Sequence, residues 1–215
     1  MTDAVAVSSP LEATPLEATR TSRLVVLCSG TGTNLQAVMD ACAAGTIRAS
    51  VVAVGSNRPD ALALGRANDA GIVTFVVTTK PGEERGQYDS RLAEHVAAHR
   101  PDWIVLAGFM RLLTMNFLGR FPGKVVNVHP ALPGAFPGTK AIERAYDAAQ
   151  RGEIDRTGIM IHLVPDEGVD DGPVLAVAEV PIVAGVDVET LMKRMHDVEH
   201  DLLTTTLARL VLEDR

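Results

Sequence analysis

From Arg23 onward the chain alternates short apolar runs with stripes of apolar residues at helical spacing. The run "RLVVLCSG" stops at Gly30, and "NLQAVMDACAAG" then spaces Leu35, Val38, Met39 and Cys42 along one helical face before Gly45. "ASVVAVGSN" predicts a second strand and "PDALALGRANDAG" a second helix, with Pro59 in its first turn and Gly71 at its end. "IVTFVV" predicts a third strand, "GQYDSRLAEHVAAHR" a helix halted before Pro101, "DWIVLAG" a fourth strand and "KVVNV" a fifth. "GTKAIERAYDAAQRG" carries a helical pattern, and "TGIMIHLV" and "PVLAVAEVPI" predict two further strands. "VDVETLMKRMHDVEHDLLTTTLARLVL" predicts a long closing helix.

Strands that are apolar on both faces and alternate with helices predict an α/β fold. The expectation is a Rossmann-like, mainly parallel sheet of about seven strands with helices on both faces. The turn-rich link "PDEGVDDG" between the last two strands predicts a mixed C-terminal edge. Residues 1–20 are rich in Ala, Thr, Ser and Pro and contain the near-duplicates "LEATP" and "LEATR", which predict a flexible tail ahead of one domain over 21–215.

Composition narrows this picture in three ways. With 47% apolar, 22% charged and only 4% aromatic residues, the 215-residue chain has an ample core built on Val, Leu, Ile and Ala. A net charge of −7 argues against a nucleic-acid partner, which requires a basic face, but leaves room for small anions held by backbone N–H groups. The two cysteines, Cys28 and Cys42, form no CxxC pair and are expected to be reduced and buried. No run reaches membrane-spanning length and no signal-peptide pattern opens the chain, so the expected setting is cytoplasmic, without a membrane partner.

In sheets of this class ligands gather beyond the carboxyl ends of the strands. Four such places carry chemistry. "SGTGTNLQA" (29–37) is a Gly-rich turn into a helix, suited to a phosphate or carboxylate at the helix start. It is not a dinucleotide fingerprint, which needs Gly where Leu35 stands, nor a P-loop, since no Gly-Lys-Ser/Thr follows. "LAGFMRLL" (106–113) is an apolar segment whose main chain suits the edge of a flat heterocycle.

"NVHPALPGAFPG" (127–138) places Asn127 and His129 two apart, so on a strand their side chains share a side. Asn is a donor for a developing oxyanion, and His handles protons near neutral pH. Pro130 favours an extended backbone at His129. "HLVPDEGVDDGPV" (162–174) holds Asp166, Glu167, Asp170 and Asp171, without the alternate-position spacing of a calcium loop. One of these carboxylates is expected to reach His129, orient it and favour its protonated form. The pairs His95/His99 and His196/His200 have helical zinc-ligand spacing but lack the flanking Glu and a third ligand, so no metal is expected.

In this order, "SGTGTNLQA", "LAGFMRLL", "NVHPALPGAFPG" and "DEGVDDGPV" resemble the formyltransferase superfamily and, within it, the phosphoribosylglycinamide formyltransferases of purine synthesis. The resemblance runs from about Arg23 into the last helix. Within the superfamily the glycinamide branch is expected, from His129 followed by Pro130 and from the expected absence of the deformylases' N-terminal regulatory domain and the methionyl-tRNA enzymes' C-terminal tRNA-binding domain. The resemblance implies that Gly32, Thr33 and Asn34 hold the ribonucleotide phosphate and that Glu199 lies near the glycinamide amine. It implies a folate site lined by Arg85, Met110, Arg111, Leu112, Leu113 and Asn127, and a catalytic trio of Asn127, His129 and Asp170. The chain departs from the common His-Pro-x-Leu-Leu-Pro pattern, because Pro133 and Gly134 follow Leu132 directly.

The implied reaction is formyl transfer from 10-formyltetrahydrofolate to phosphoribosylglycinamide, by direct amine attack with oxyanion stabilisation and an Asp-assisted proton relay. No metal takes part, and the protein is expected as a monomer or homodimer. Two rival readings stay open at this level: a formyltetrahydrofolate deformylase, with water replacing the amine, and a non-catalytic nucleotide or folate sensor.

Overall fold

The computed structural model describes residues 20–213. The flexible tail expected over residues 1–20 lies, but for Arg20, outside the described residues. The central strand shows why its sequence reads as unbroken apolar text. In β1 (Ser22–Cys28), Leu24, Val26 and Cys28 enter one core cluster, while Val25 and Leu27 enter the other on the opposite face. The same alternation holds in β4 (Trp103–Leu106), where Val105 and Ile104 face opposite clusters.

The remaining strands are β2 (Ala49–Ser56), β3 (Thr74–Val76), β5 (Val125–His129), β6 (Arg156–Leu163) and β7 (Val174–Pro181). They form one sheet in the order β3-β2-β1-β4-β5-β6-β7. The first five are parallel, and β6 and β7 run antiparallel, giving the expected mixed edge. The helices are α1 (Thr33–Ala43), α2 (Leu62–Asp69), α3 (Arg85–Ala98), α4 (Met115–Leu118), α5 (Ala141–Gln150) and α6 (Val188–Glu213). Leu35 and Val38 of α1, Ile142 of α5, and Leu203 and Leu207 of α6 pack on one face. Leu92 and Val96 of α3 and Phe117 of α4 pack on the other.

Several boundaries differ from the sequence pattern. Helix α2 starts at Leu62 rather than around Pro59, which sits in a turn closed by Ala61 N–H on the Arg58 carbonyl. What fixes that start is tertiary: Ala63 donates its N–H to the Gly30 carbonyl at 3.1 Å. Strand β3 is only three residues, pairing with β2 alone at the sheet edge. Helix α4 is too short to show a periodic stripe. At the other edge, β7 exposes Val174 and Val177. Cys28 is buried as expected, but Cys42 is half-buried. Burial pushes the two thiols up to about 12 and about 11, so both stand protonated.

β1 pairs with β2 on one side and β4 on the other, so the chain reverses its direction of travel across the sheet between β1 and β4. Loops leaving such adjacent strands part and open a crevice at their carboxyl ends. Here the two loops are tied: Ser29 N–H donates to the Gly108 carbonyl at 3.0 Å, and Ser29 Oγ accepts from Met110 N–H at 2.8 Å.

Candidate active site

Strand β5 delivers two polar side chains to this crevice. Val126 and Val128 belong to one core face, so the alternation turns Asn127 and His129 to the face shared with Val125. There the apolar packing stops and a cavity of about 310 Å³ begins, lined by both side chains. Pro130 follows directly, and β5 ends at His129 in extended conformation, as the X-Pro restriction favours.

Of the four clustered acids, the geometry selects Asp170. Its Oδ2 lies 3.2 Å from His129 Nδ1 and accepts Gly138 N–H at 2.8 Å, while Oδ1 accepts Asn127 Nδ2–H at 3.1 Å. The others are engaged elsewhere. Asp166 accepts its own turn's Gly168 N–H, Glu167 accepts Met115 N–H at the start of α4, and Asp171 lies against Gly168. Asp170 takes a left-handed backbone conformation (φ 55°), which costs a residue with a side chain about 1–3 kcal/mol. Its hydrogen bonds offset that strain.

A fourth member, His162, escaped the sequence reading. The antiparallel register sets it directly opposite Asn127, with Asn127 Nδ2 and His162 Nε2 3.1 Å apart. Its Nδ1 faces the Leu163 carbonyl at 2.8 Å and so carries a proton. Nε2 stands between two partners: as a lone pair it accepts from Asn127, and once protonated it donates to Asp170 Oδ1, 3.5 Å away. No spacing along the chain signals this pairing, because a strand register across a long connection is not local information.

The electrostatics of the couple pull in opposite directions. Burial lowers the His129 pKa and outweighs the Asp170 charge and the nearby Ala135 and Phe136 carbonyls, all of which favour the cation. His162 adds to the lowering. Burial also opposes ionisation of Asp170. Hydrogen bonds from His162 and Gly138 N–H, with the field of the two histidines, overcome it and hold the carboxyl below its ordinary value.

The second wall of the cavity is the segment 108–113, including Met110, Arg111, Leu112 and Leu113. It is pinned at both ends, by Ser29 on Met110 N–H and by the fully buried Asp89, whose Oδ2 accepts Thr114 N–H at 2.6 Å. Met110 and Leu112 are exposed, and the Arg111 guanidinium lies 4.0 Å over the Tyr88 ring. Arg85 is not among the residues lining the cavity; it donates to the Leu112 carbonyl of this wall at 3.1 Å. Ser29 and Asp89 are further positioning groups that the pattern along the chain did not reveal.

The Gly-rich turn forms as read, with Gly32 (φ 75°) capping α1 and Thr33 opening it. A Cβ on Gly32 would lie 2.7 Å from Ala63 Cβ, so both backbone and space require glycine. Asn34 turns inward and hydrogen-bonds Glu199 of α6, so only its main chain is placed for an anion. Glu199 is 7% exposed; burial pushes its carboxyl up to about 7, against the Asn34 hydrogen bond. Neither residue is among those lining the cavity that holds Asn127 and His129, and the Asn34 hydrogen bond joins Glu199 to the glycine turn.

Among the described residues no cluster of three or more His, Cys, Asp or Glu is arranged to hold a metal ion. His95 and His99 instead stack on Phe75, at 5.6 and 5.7 Å between ring centroids.

These features agree with what the chain is similar to. A family model described as formyl transferase matches residues 22–207. The phosphoribosylglycinamide formyltransferase of Schizosaccharomyces pombe is 41% identical over 204 residues, covering 89% of this chain and 98% of the relative. The protein of the same name from Mycobacterium tuberculosis is 44% identical over 189 residues, covering 88% and 85%. The crystal structure of glycinamide ribonucleotide transformylase 1 from Geobacillus kaustophilus matches with a TM-score of 0.83 at 41% identity, over 89% of this chain and all of that one. The chain belongs to the formyl transferase family and is similar, within it, to the phosphoribosylglycinamide formyltransferases.

Proposed function

We propose that the protein transfers a formyl group from 10-formyltetrahydrofolate to the amine of phosphoribosylglycinamide in purine synthesis, acting in the cytoplasm. The observation that carries this reading is the side-chain amide of Asn127 beside the His129–Asp170 couple on the wall of a half-open apolar cavity. That is the equipment for one oxyanion and one mobile proton. The wall 110–113 suits the flat folate ring, and the N–H groups of Gly32, Thr33 and Asn34 suit the nucleotide phosphate. Arg85 acts on the folate site through Leu112, and Glu199 on the nucleotide site through Asn34.

The unprotonated amine attacks the formyl carbon, forming the new C–N bond as the carbonyl electron pair moves to oxygen. Both Nδ2 hydrogens of Asn127 are engaged, with His162 and Asp170, so substrate binding exchanges one of them for the formyl oxygen. The growing negative charge raises the proton affinity of His129, which burial holds low at rest. Collapse of the tetrahedral species breaks the bond to the folate N10. The proton lost by the amine reaches that nitrogen through a water held by Asp170 and His129.

Asn127→Ala, His129→Ala and Asp170→Asn are each expected to lower kcat by about 10²–10³. Binding of both substrates, followed by calorimetry, should persist. Near-native turnover in the His129 and Asp170 variants would remove the couple from the mechanism.

A further inference from the structure

The segment that cradles the couple is wound in an unusual way. Gly134, Phe136, Gly138 and Lys140 all have positive φ, at 76°, 48°, 81° and 56°, and two of them carry side chains. Its groups meet both members of the couple: Gly138 N–H donates to Asp170 Oδ2, and the Ala135 and Phe136 carbonyls favour protonated His129. A segment in sparsely populated conformations keeps that geometry only when its surroundings hold it.

One side chain from outside the cavity does so. Arg144 projects from α5 and donates from a single nitrogen, Nη1, to the Pro137 carbonyl at 2.8 Å and the Thr139 carbonyl at 3.2 Å. These carbonyls flank Gly138. The same guanidinium sits 5.6 Å from the centroid of the Phe136 ring. We propose that Arg144 is a positioning residue for the catalytic couple, fixing the 136–139 backbone so that Gly138 N–H aims at Asp170 and Asp170 at His129. This inference rests on the reading of His129 and Asp170 as the catalytic couple.

Arg144 is exposed, does not itself line the cavity and fills no core space, so its truncation leaves no void. The tests are Arg144→Met, which keeps the aliphatic stem without donors, and Arg144→Lys, whose single ammonium can serve both carbonyls. In Arg144→Met kcat should fall about tenfold or more with little change in KM, the mark of misplaced reacting groups rather than lost binding. The melting temperature should stay close to that of the parent. The His129 imidazole, one of six in the chain, is followed by NMR titration, with Asp170 and His162 the ionisable groups beside it.

Its midpoint should move by about half a pH unit or more in Arg144→Met and stay near the parent's in Arg144→Lys. The lysine variant should also recover part of kcat. An unchanged kcat and an unchanged titration in Arg144→Met would overturn the assignment. So would a loss of activity that tracks a large fall in melting temperature while His129 titrates normally. Parent protein without formyl transfer would instead sink the functional reading, and the titration alone would still decide the role of Arg144.

Discussion

At the scale of single residues, the site is a set of groups whose charge states are set by burial as much as by neighbours. His129 and Asp170 are both held below their ordinary values, the first because burial wins and the second because hydrogen bonds do. Glu199 goes the other way, to about 7. A carboxyl raised in the folded state binds its proton more tightly there than in the unfolded chain. Its contribution is therefore fully present below about pH 4.5 and lost as pH rises through about 7. The loss amounts to about 3 kcal/mol.

Glu199→Gln should flatten this slope, raising stability at pH 8 relative to the parent and changing it little at pH 4.5. Urea unfolding at the two pH values measures it, and an unchanged slope would contradict the buried-carboxyl account. Asn127 and His129 were legible as a pair because the strand period alone puts them on one side. Which acid meets them was not: four carboxylates crowd one short loop, and family resemblance rather than spacing singled out Asp170. His162 was invisible, since its place opposite Asn127 is a fact of register.

At the scale of elements, the turns matter more than the strands they follow. Pro133 and Gly134, the departure from the usual family loop, form a tight turn closed by Ala135 N–H on the Leu132 carbonyl at 2.9 Å. Pro ahead of a glycine with positive φ is the arrangement a type II turn favours, so the early proline has a local reason. The turn after β1 is equally demanding. Gly32→Ala places a side chain at φ 75° against Ala63 and should cost about 1–3 kcal/mol by denaturant unfolding.

The same change should raise KM for the nucleotide more than it lowers kcat. A normal nucleotide KM would take the turn out of the substrate site. Element type was legible wherever a stripe or an apolar run was long. The start of α2, the shortness of β3 and the presence of α4 were not, because tertiary contacts and edge positions decide them.

At the scale of the whole molecule, the parallel β-sheet with its antiparallel C-terminal pair could be read from the alternation of patterns and one turn-rich link. The sheet order could not, yet it has the larger consequence. By bringing the ends of β1, β4 and β5 side by side, it sets the glycine turn next to the wall of the cavity that the later motifs line. The Ser29 bonds to Gly108 and Met110 then join the glycine turn to the cavity wall. The rival readings do not part at this scale, because all would use the same cavity and differ only in what reacts there.

The most direct test is consumption of 10-formyltetrahydrofolate by the purified protein, with and without phosphoribosylglycinamide. The account predicts rapid consumption only when the amine is present, with stoichiometric formylglycinamide product, and loss of that turnover in His129→Ala. Consumption at the same rate without the amine, or tight binding of both ligands with no turnover, would contradict it.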